Sequence, residues 1–214
     1  MTVSVLASPH GDAHLHVTGP ARGAVGRALL MHGAGTSSNV AVLLQMADAL
    51  AAVKVRAARL DQPYRVAGRR APPPSKQLDV VARAACAELT PASAPLVLVG
   101  RSSGARVACR IARAVGAVGV VALGFPLVPP GRPDVSRAGE LAGAGVPVLV
   151  IQGARDGFGS PDDIRAVRVK GVTVHAIAGG DHSLKTRKVD GRTEADAMAE
   201  AVRVAAAWIV QAAT

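Results

Sequence analysis

The chain has 214 residues, half of them hydrophobic and 2% aromatic, with a formal charge of +10; this is material for one domain, 1–214, with a sizeable core, and leaves little for a second. No run reaches the roughly 18 uninterrupted apolar residues of a membrane span, and residues 1–5 lack the basic flank and apolar stretch of a secretory signal, so the expected compartment is the cytoplasm. The positive field favours anionic partners, but nucleic acid is disfavoured, because the basic residues are scattered apart from Arg69 and Arg70 and there is almost no aromatic surface for bases to stack on.

In chain order, residues 3–7 and 14–17 alternate around Pro9, His10, Gly11 and Asp12, which predicts an N-terminal hairpin. An apolar strand over 28–31 and a loop over 33–39 precede a helix whose face is Val40, Leu43, Leu44, Ala47 and Leu50. Strand character resumes over 53–60, followed by a proline- and arginine-rich loop over 62–75 and a helix over 77–89. After a strand at 96–99, Val107, Ile111 and Val115 recur at helical spacing. Then come a strand at 119–123, an irregular stretch at 125–133, a strand at 147–151, a short helix at 161–167 and a strand at 172–177. Met198, Val202, Ala205 and Ile209 form the buried stripe of a closing helix. Strands alternating with helices from residue 28 onward predict an α/β fold: a mostly parallel sheet, helices on both faces, and functional groups at the carboxyl ends of the strands. Cys86 and Cys109 lie inside predicted helices as small apolar filler and imply no disulfide framework.

The most informative run is LVLVGRSSG at 96–104, an apolar strand leading straight into GxSxG and then into a helix. Such a turn lifts one serine hydroxyl clear of the sheet edge, with glycines where a Cβ would strike backbone. Ser102 is therefore the candidate nucleophile. A serine hydroxyl needs a base within reach and a group that orients the base. The strand ending at 151 leads into a glycine-rich turn that holds Asp156, and the strand over 172–177 leads into one that holds His182. The order Ser, Asp, His is that of hydrolases built on this turn, and a parallel sheet would bring the three strand ends together. The amides of Ser103 and Ala34 are the expected oxyanion donors, and Gly33 beside Ala34 lets backbone come close to a substrate.

With these pieces in place, the chain resembles the α/β-hydrolases over nearly its whole length, in particular the compact dienelactone-hydrolase-like kind that lacks a cap domain. It is most similar to the testis-expressed and NSL-complex-subunit hydrolase-like proteins and their bacterial relatives. The matching pieces are HGAG at 32–35, PY followed by GRR within 63–70, GRSSG at 100–104, GFPL at 124–127, QGARDGFG at 152–159 and DHS at 181–183. The resemblance implies Ser102 as nucleophile, Asp156 as acid and His182 as base, and leaves the substrate open. Dienelactone hydrolases proper carry a cysteine at the elbow, so their own activity is not carried over. Ser103 stands where a methionine is common, which matters little because its amide does the work.

Plainer readings compete at each position. Ser102 could be a helix cap; Asp162 and Asp163 are better placed than Asp156 to cap the helix near Pro161, and Asp181 and Asp134 are the alternative acids. His175, inside an alternating strand, is the competing base, and His32 is read as structural, shaping the oxyanion loop. His14 and His16 share a strand face, but nothing completes a ligand set, so no metal is expected. The glycines at 33–35 complete neither GxGxxG nor GxxxxGK[ST], so no nucleotide cofactor is expected. Arg69, Arg70 and Pro72, Pro73 and Pro74 form either a stiff lip that attracts a substrate carboxylate or phosphate, or a solvated loop. The expected function is a cofactor-free serine hydrolase acting on a small ester, thioester or related acyl substrate. The other reading is a catalytically silent interaction module on the same fold.

Overall fold

The computed structural model describes residues 2–129, 131, 132 and 134–213. One sheet is built from β1 (Thr2–Leu6), β2 (Ala13–Thr18), β3 (Gly26–Met31), β4 (Val55–Asp61), β5 (Leu96–Arg101), β6 (Gly119–Leu123), β7 (Val148–Gly153) and β8 (Val172–Ile177). Their spatial order is β1-β2-β4-β3-β5-β6-β7-β8. β2 pairs antiparallel with both β1 and β4, and every later pairing is parallel. The helices are α1 (Ala41–Ala52), α2 (Pro63–Val66), α3 (Ser75–Glu88), α4 (Ser103–Ile111), α5 (Ala138–Gly143), α6 (Pro161–Ala166) and α7 (Glu194–Ala213).

The central strands are continuously apolar because both of their faces are covered. In β5, Leu96 and Leu98 enter one core with residues of α3, α4 and α5, while Val97 and Val99 enter the other with α1 and α7. β7 divides likewise, Val148 and Val150 to one side and Leu149 and Ile151 to the other. Each such side chain, fully withdrawn from water, contributes about 2 kcal/mol. On α7 the spacing is obeyed: Val202, Ala205 and Ile209 are buried, and Met198 packs partly buried against the same core. Burial in these cores pushes the Cys86 and Cys109 thiols up to about 12, so both are inert filler.

Three expectations need adjusting. β4 begins at Val55 rather than Val53, because Val53 and Lys54 close α1 in a turn with Lys54 at φ 60°. The loop at 62–75 contains α2, a single turn opened by Pro63 and too short to show periodicity. The stretch between β6 and β7 contains α5, although Pro130 and Pro133 lie outside the described residues. Among the described residues, no helix is long and apolar enough to cross a membrane.

Register sets the site. Arg101 pairs with Leu123, Leu123 with Ile151 and Gly153 with Ile177, so β5, β6, β7 and β8 end nearly level, and the loops leaving them share one edge of the sheet.

Candidate active site

Ser102 sits between β5 and α4 at φ 51°, ψ −113°, a conformation that side chains rarely adopt, and its amide donates to the Leu123 carbonyl at 2.9 Å. The turn is that sharp because backbone crosses backbone: a Cβ on Gly104 would overlap the Met31 carbonyl, and one on Gly100 would overlap Gly104 itself. The serine is thus pushed out over the sheet edge.

Its hydroxyl lies 2.9 Å from Nε2 of His182, whose Nδ1 lies 2.8 Å from Oδ2 of Asp156. The side chain of Asp156 is wholly buried and that of His182 is 20% exposed, so the chain of contacts runs from the interior to the open edge. His182 reaches back from β8 past the ends of β7 and β6, which is possible because Gly153 leaves room for the Asp181 carbonyl and Gly124, at φ 61°, for the His182 carbonyl. The Phe158 ring packs on the imidazole with centroids 4.2 Å apart. Asp156 is held by two further donors, the Phe158 amide on Oδ1 and Gln152 Nε2 on Oδ2, each at 2.8 Å.

The competing residues are occupied elsewhere. Asp181 Oδ1 accepts from the Ser183 and Lys185 amides, and Asp134 is exposed. His175 pairs with Glu200 at 2.7 Å, and His16 with Asp61 at 2.9 Å. Asp163 forms the capping box of α6 with Ser160. His32 Nδ1 donates to the Gly33 carbonyl at 2.8 Å while Nε2 accepts from the Gln62 amide at 3.4 Å, which fixes a neutral tautomer and shapes the loop after β3. Burial pushes this imidazole below its ordinary value, outweighing the opposing pull of the Gly33 carbonyl and Asp61.

Ser102 and His182 face a cleft of about 470 Å³, lined also by Ala34, Ser103, Pro126 and Phe158 and by three arginines, Arg101, Arg106 and Arg137. That volume suits a small organic molecule. The amides of Ala34 and Ser103 have no acceptor within the protein among the described residues, and Ser103 opens α4, where amides point away from the helix.

The other expected substrate contacts are placed differently. Gly33 is buried beside Ser102, where a Cβ would lie 3.3 Å from Ser102 Cβ, but it does not line the cleft, and its carbonyl is taken by His32 and Thr36. Arg69 and Arg70 do not line it either. The Arg69 amide donates to the Tyr64 carbonyl, and the Arg69 carbonyl accepts from Arg65, which folds this segment onto the end of α2. Arg69 therefore borders a small hollow with His10, Tyr64 and Pro73, Arg70 is exposed, and only Pro72 of that loop reaches the cleft. The basic character of the cleft comes instead from residues that sequence reasoning did not single out. Gln152 was also missed, though a lone amide in the apolar run VLVIQG had to find buried partners.

The sequence profile of the alpha/beta hydrolase domain matches residues 25–210. The chain belongs to that family. No curated protein matches it. Among solved structures it is similar to a lidless α/β serine hydrolase from Xanthomonas campestris, with a TM-score of 0.72 and 19% identity over 95% of this chain and 94% of that one. It is similar to Est1E from Butyrivibrio proteoclasticus, with a TM-score of 0.76 and 11% identity over 98% of each chain. The esterase domain of a Rhodothermus marinus protein gives 0.73 and 16%, again over 98% of each. At these identities the likeness is one of fold, and the fold is that of the α/β-hydrolases.

Proposed function

We propose that this protein is a serine hydrolase that cleaves small esters, thioesters or related acyl substrates without a cofactor. Ser102 attacks the carbonyl carbon while His182 Nε2 takes the hydroxyl proton, and the tetrahedral oxyanion is held by the Ser103 and Ala34 amides. His182 then gives the proton to the departing alcohol or thiol, and water repeats the sequence to release the acid. Asp156 keeps the proton on Nδ1 and stabilises the imidazolium as it forms. The observation that carries this reading is the pair of contacts at 2.9 and 2.8 Å linking Ser102, His182 and Asp156 at the floor of an open cleft. The esterase and serine hydrolase names of proteins sharing the fold are consistent with it. We further propose a cytoplasmic location, with which the free buried thiols of Cys86 and Cys109 are consistent.

A fluorophosphonate probe tests it. The wild-type protein is expected to be labelled and Ser102→Ala is not, and Ser102→Ala lowers kcat on 4-nitrophenyl esters by about 10⁴- to 10⁶-fold. A folded wild-type protein that neither labels nor turns over any ester would make the chain a silent member of its family.

A further inference from the structure

The three arginines of the cleft are not equivalent. Arg106 is forked onto Glu140, Nε to Oε2 and Nη2 to Oε1, each at 2.7 Å; Glu140 also takes Arg110, which is itself forked onto Asp79. Among the described residues, Arg101 and Arg137 have no carboxylate at ion-pair distance. Arg101 Nη2 donates to Ser183 Oγ at 2.8 Å, and Arg137 Nη1 donates to the Pro126 carbonyl at 3.0 Å. A guanidinium carries five N–H donors, so each retains most of its capacity.

Both side chains are half-buried, where leaving a cation without a counter-charge is unfavourable. Burial works against the charge of each; the neighbouring charge of Arg106 adds to this at Arg137, where Glu140 supports the cation from beyond contact, as Asp181 and Asp156 do for Arg101. Among the described residues, no acidic residue lines the cleft itself. The two cations are also anchored from different loops, one by Ser183 after β8 and the other by Pro126 after β6. Arg101 stands next to the chemistry: a Cβ built on Gly33 would lie 3.0 Å from Arg101 Nη1 and 3.3 Å from Ser102 Cβ, so guanidinium and nucleophile flank one point.

We propose that Arg101 and Arg137 form an anion subsite, so that the acyl substrate carries a carboxylate or phosphate within a few bonds of the scissile carbonyl. This rests on the serine-hydrolase reading above. Planar guanidinium forks suit either anion, and the substrate's charge supplies the partner that the protein withholds.

The test uses matched ester pairs corrected for spontaneous hydrolysis. On the acyl side, 4-nitrophenyl hydrogen glutarate is compared with 4-nitrophenyl pentanoate; on the alcohol side, phenyl acetates carrying a 4-carboxylate, 4-phosphate or 4-methyl group are compared, which separates the two anions. The expected result is a preference in kcat/KM of about 10-fold or more for a charged member of at least one set. That ratio falls towards unity in Arg137→Gln and in Arg101→Gln and partly returns in Arg137→Lys. Should Arg101→Gln not fold, the ratio in Arg137→Gln decides alone. If Ser102 labels but no ester turns over, slowing of labelling by glutarate or inorganic phosphate, abolished in Arg137→Gln, takes the place of the ratio. Turnover with no charge preference, a preference that both substitutions leave intact, or labelling that neither anion slows overturns the subsite and leaves the hydrolase standing. Absence of both turnover and labelling removes the hydrolase reading, and the subsite with it.

Discussion

Gln152 Nε2 donates to Asp156 Oδ2 at 2.8 Å, the same oxygen that faces His182 Nδ1. Gln152 is fully buried, and its own amide is locked: Oε1 accepts from the Phe125 amide at 2.8 Å, while Nε2 also reaches the carbonyls of Phe125 and Gly159 at 3.1 and 2.8 Å. One side chain thus ties the end of β6 to the turn that carries Asp156.

On the proposed mechanism, Gln152 is a positioning residue. In Gln152→Leu the carboxylate loses a donor and the imidazole a fixed partner, so kcat is expected to fall about 10- to 100-fold, the worth of a hydrogen bond to a charged group. KM should change little, because Gln152 does not line the cleft. Steady-state kinetics on a neutral 4-nitrophenyl ester reads the split; a change confined to KM would show that the amide supports substrate binding instead.

The elbow stores strain at Ser102, whose φ of 51° places a Cβ-bearing residue where glycine is at ease. Ser102→Gly and Ser102→Ala both remove the hydroxyl, but only the first relieves the backbone. Ser102→Gly is therefore expected to be more stable than Ser102→Ala by about 1 kcal/mol in urea unfolding. Equal stabilities would mean that the surrounding turn adapts at no cost.

Legibility followed the kind of signal each residue carries. Strands β6 and β8 were readable to the residue because apolar or β-branched runs end at glycine or small-residue turns. That the side chains of residues 102, 156 and 182 lie close together followed from parallel topology, since turns leaving neighbouring strands share an edge. The arginines show where such reasoning stops. Arg69 and Arg70 are conspicuous as a pair, yet the direction of their loop is set by α2, a single turn whose main mark is Pro63. Arg137 is drawn to the cleft wall by its amide, which bonds the Leu127 carbonyl and turns the segment before α5 back onto the loop after β6, a path that no local pattern announces.

His32 gives a pH dependence of stability with a definite sign. Its imidazole is buried and neutral, and desolvation holds its folded-state value below 6.5. As pH falls through about 6.5 the unfolded chain takes up a proton that the folded protein refuses, so stability declines with a slope of at most about 1.4 kcal/mol per pH unit from this group. His32→Gln, which can still donate to the Gly33 carbonyl, is expected to lose that share of the slope over the unit of pH below 6.5. Parallel curves for variant and wild type would show that His32 takes its proton without unfolding.

Glu140 predicts the opposite end of the acid range. Burial pushes its carboxyl up, but the hydrogen bonds and charges of Arg106 and Arg110 outweigh burial and hold it below 4.5. A folded-state value lowered in this way adds stability at pH above the unfolded value, and that stability is lost as pH falls through the folded one. Glu140→Gln leaves Arg106 without its fork and Arg110 without one of two partners, at side chains that are 20–27% exposed. The expected loss is about 2 kcal/mol near neutral pH, below the full cost of breaking a wholly buried pair. Because wild type forfeits the same interaction on protonation, the gap between the two proteins should narrow as pH drops below 4.5. Urea unfolding at pH 7 and in acid measures both limits; a gap that stays constant with pH would mean that shape complementarity rather than charge holds α4 and α5 together.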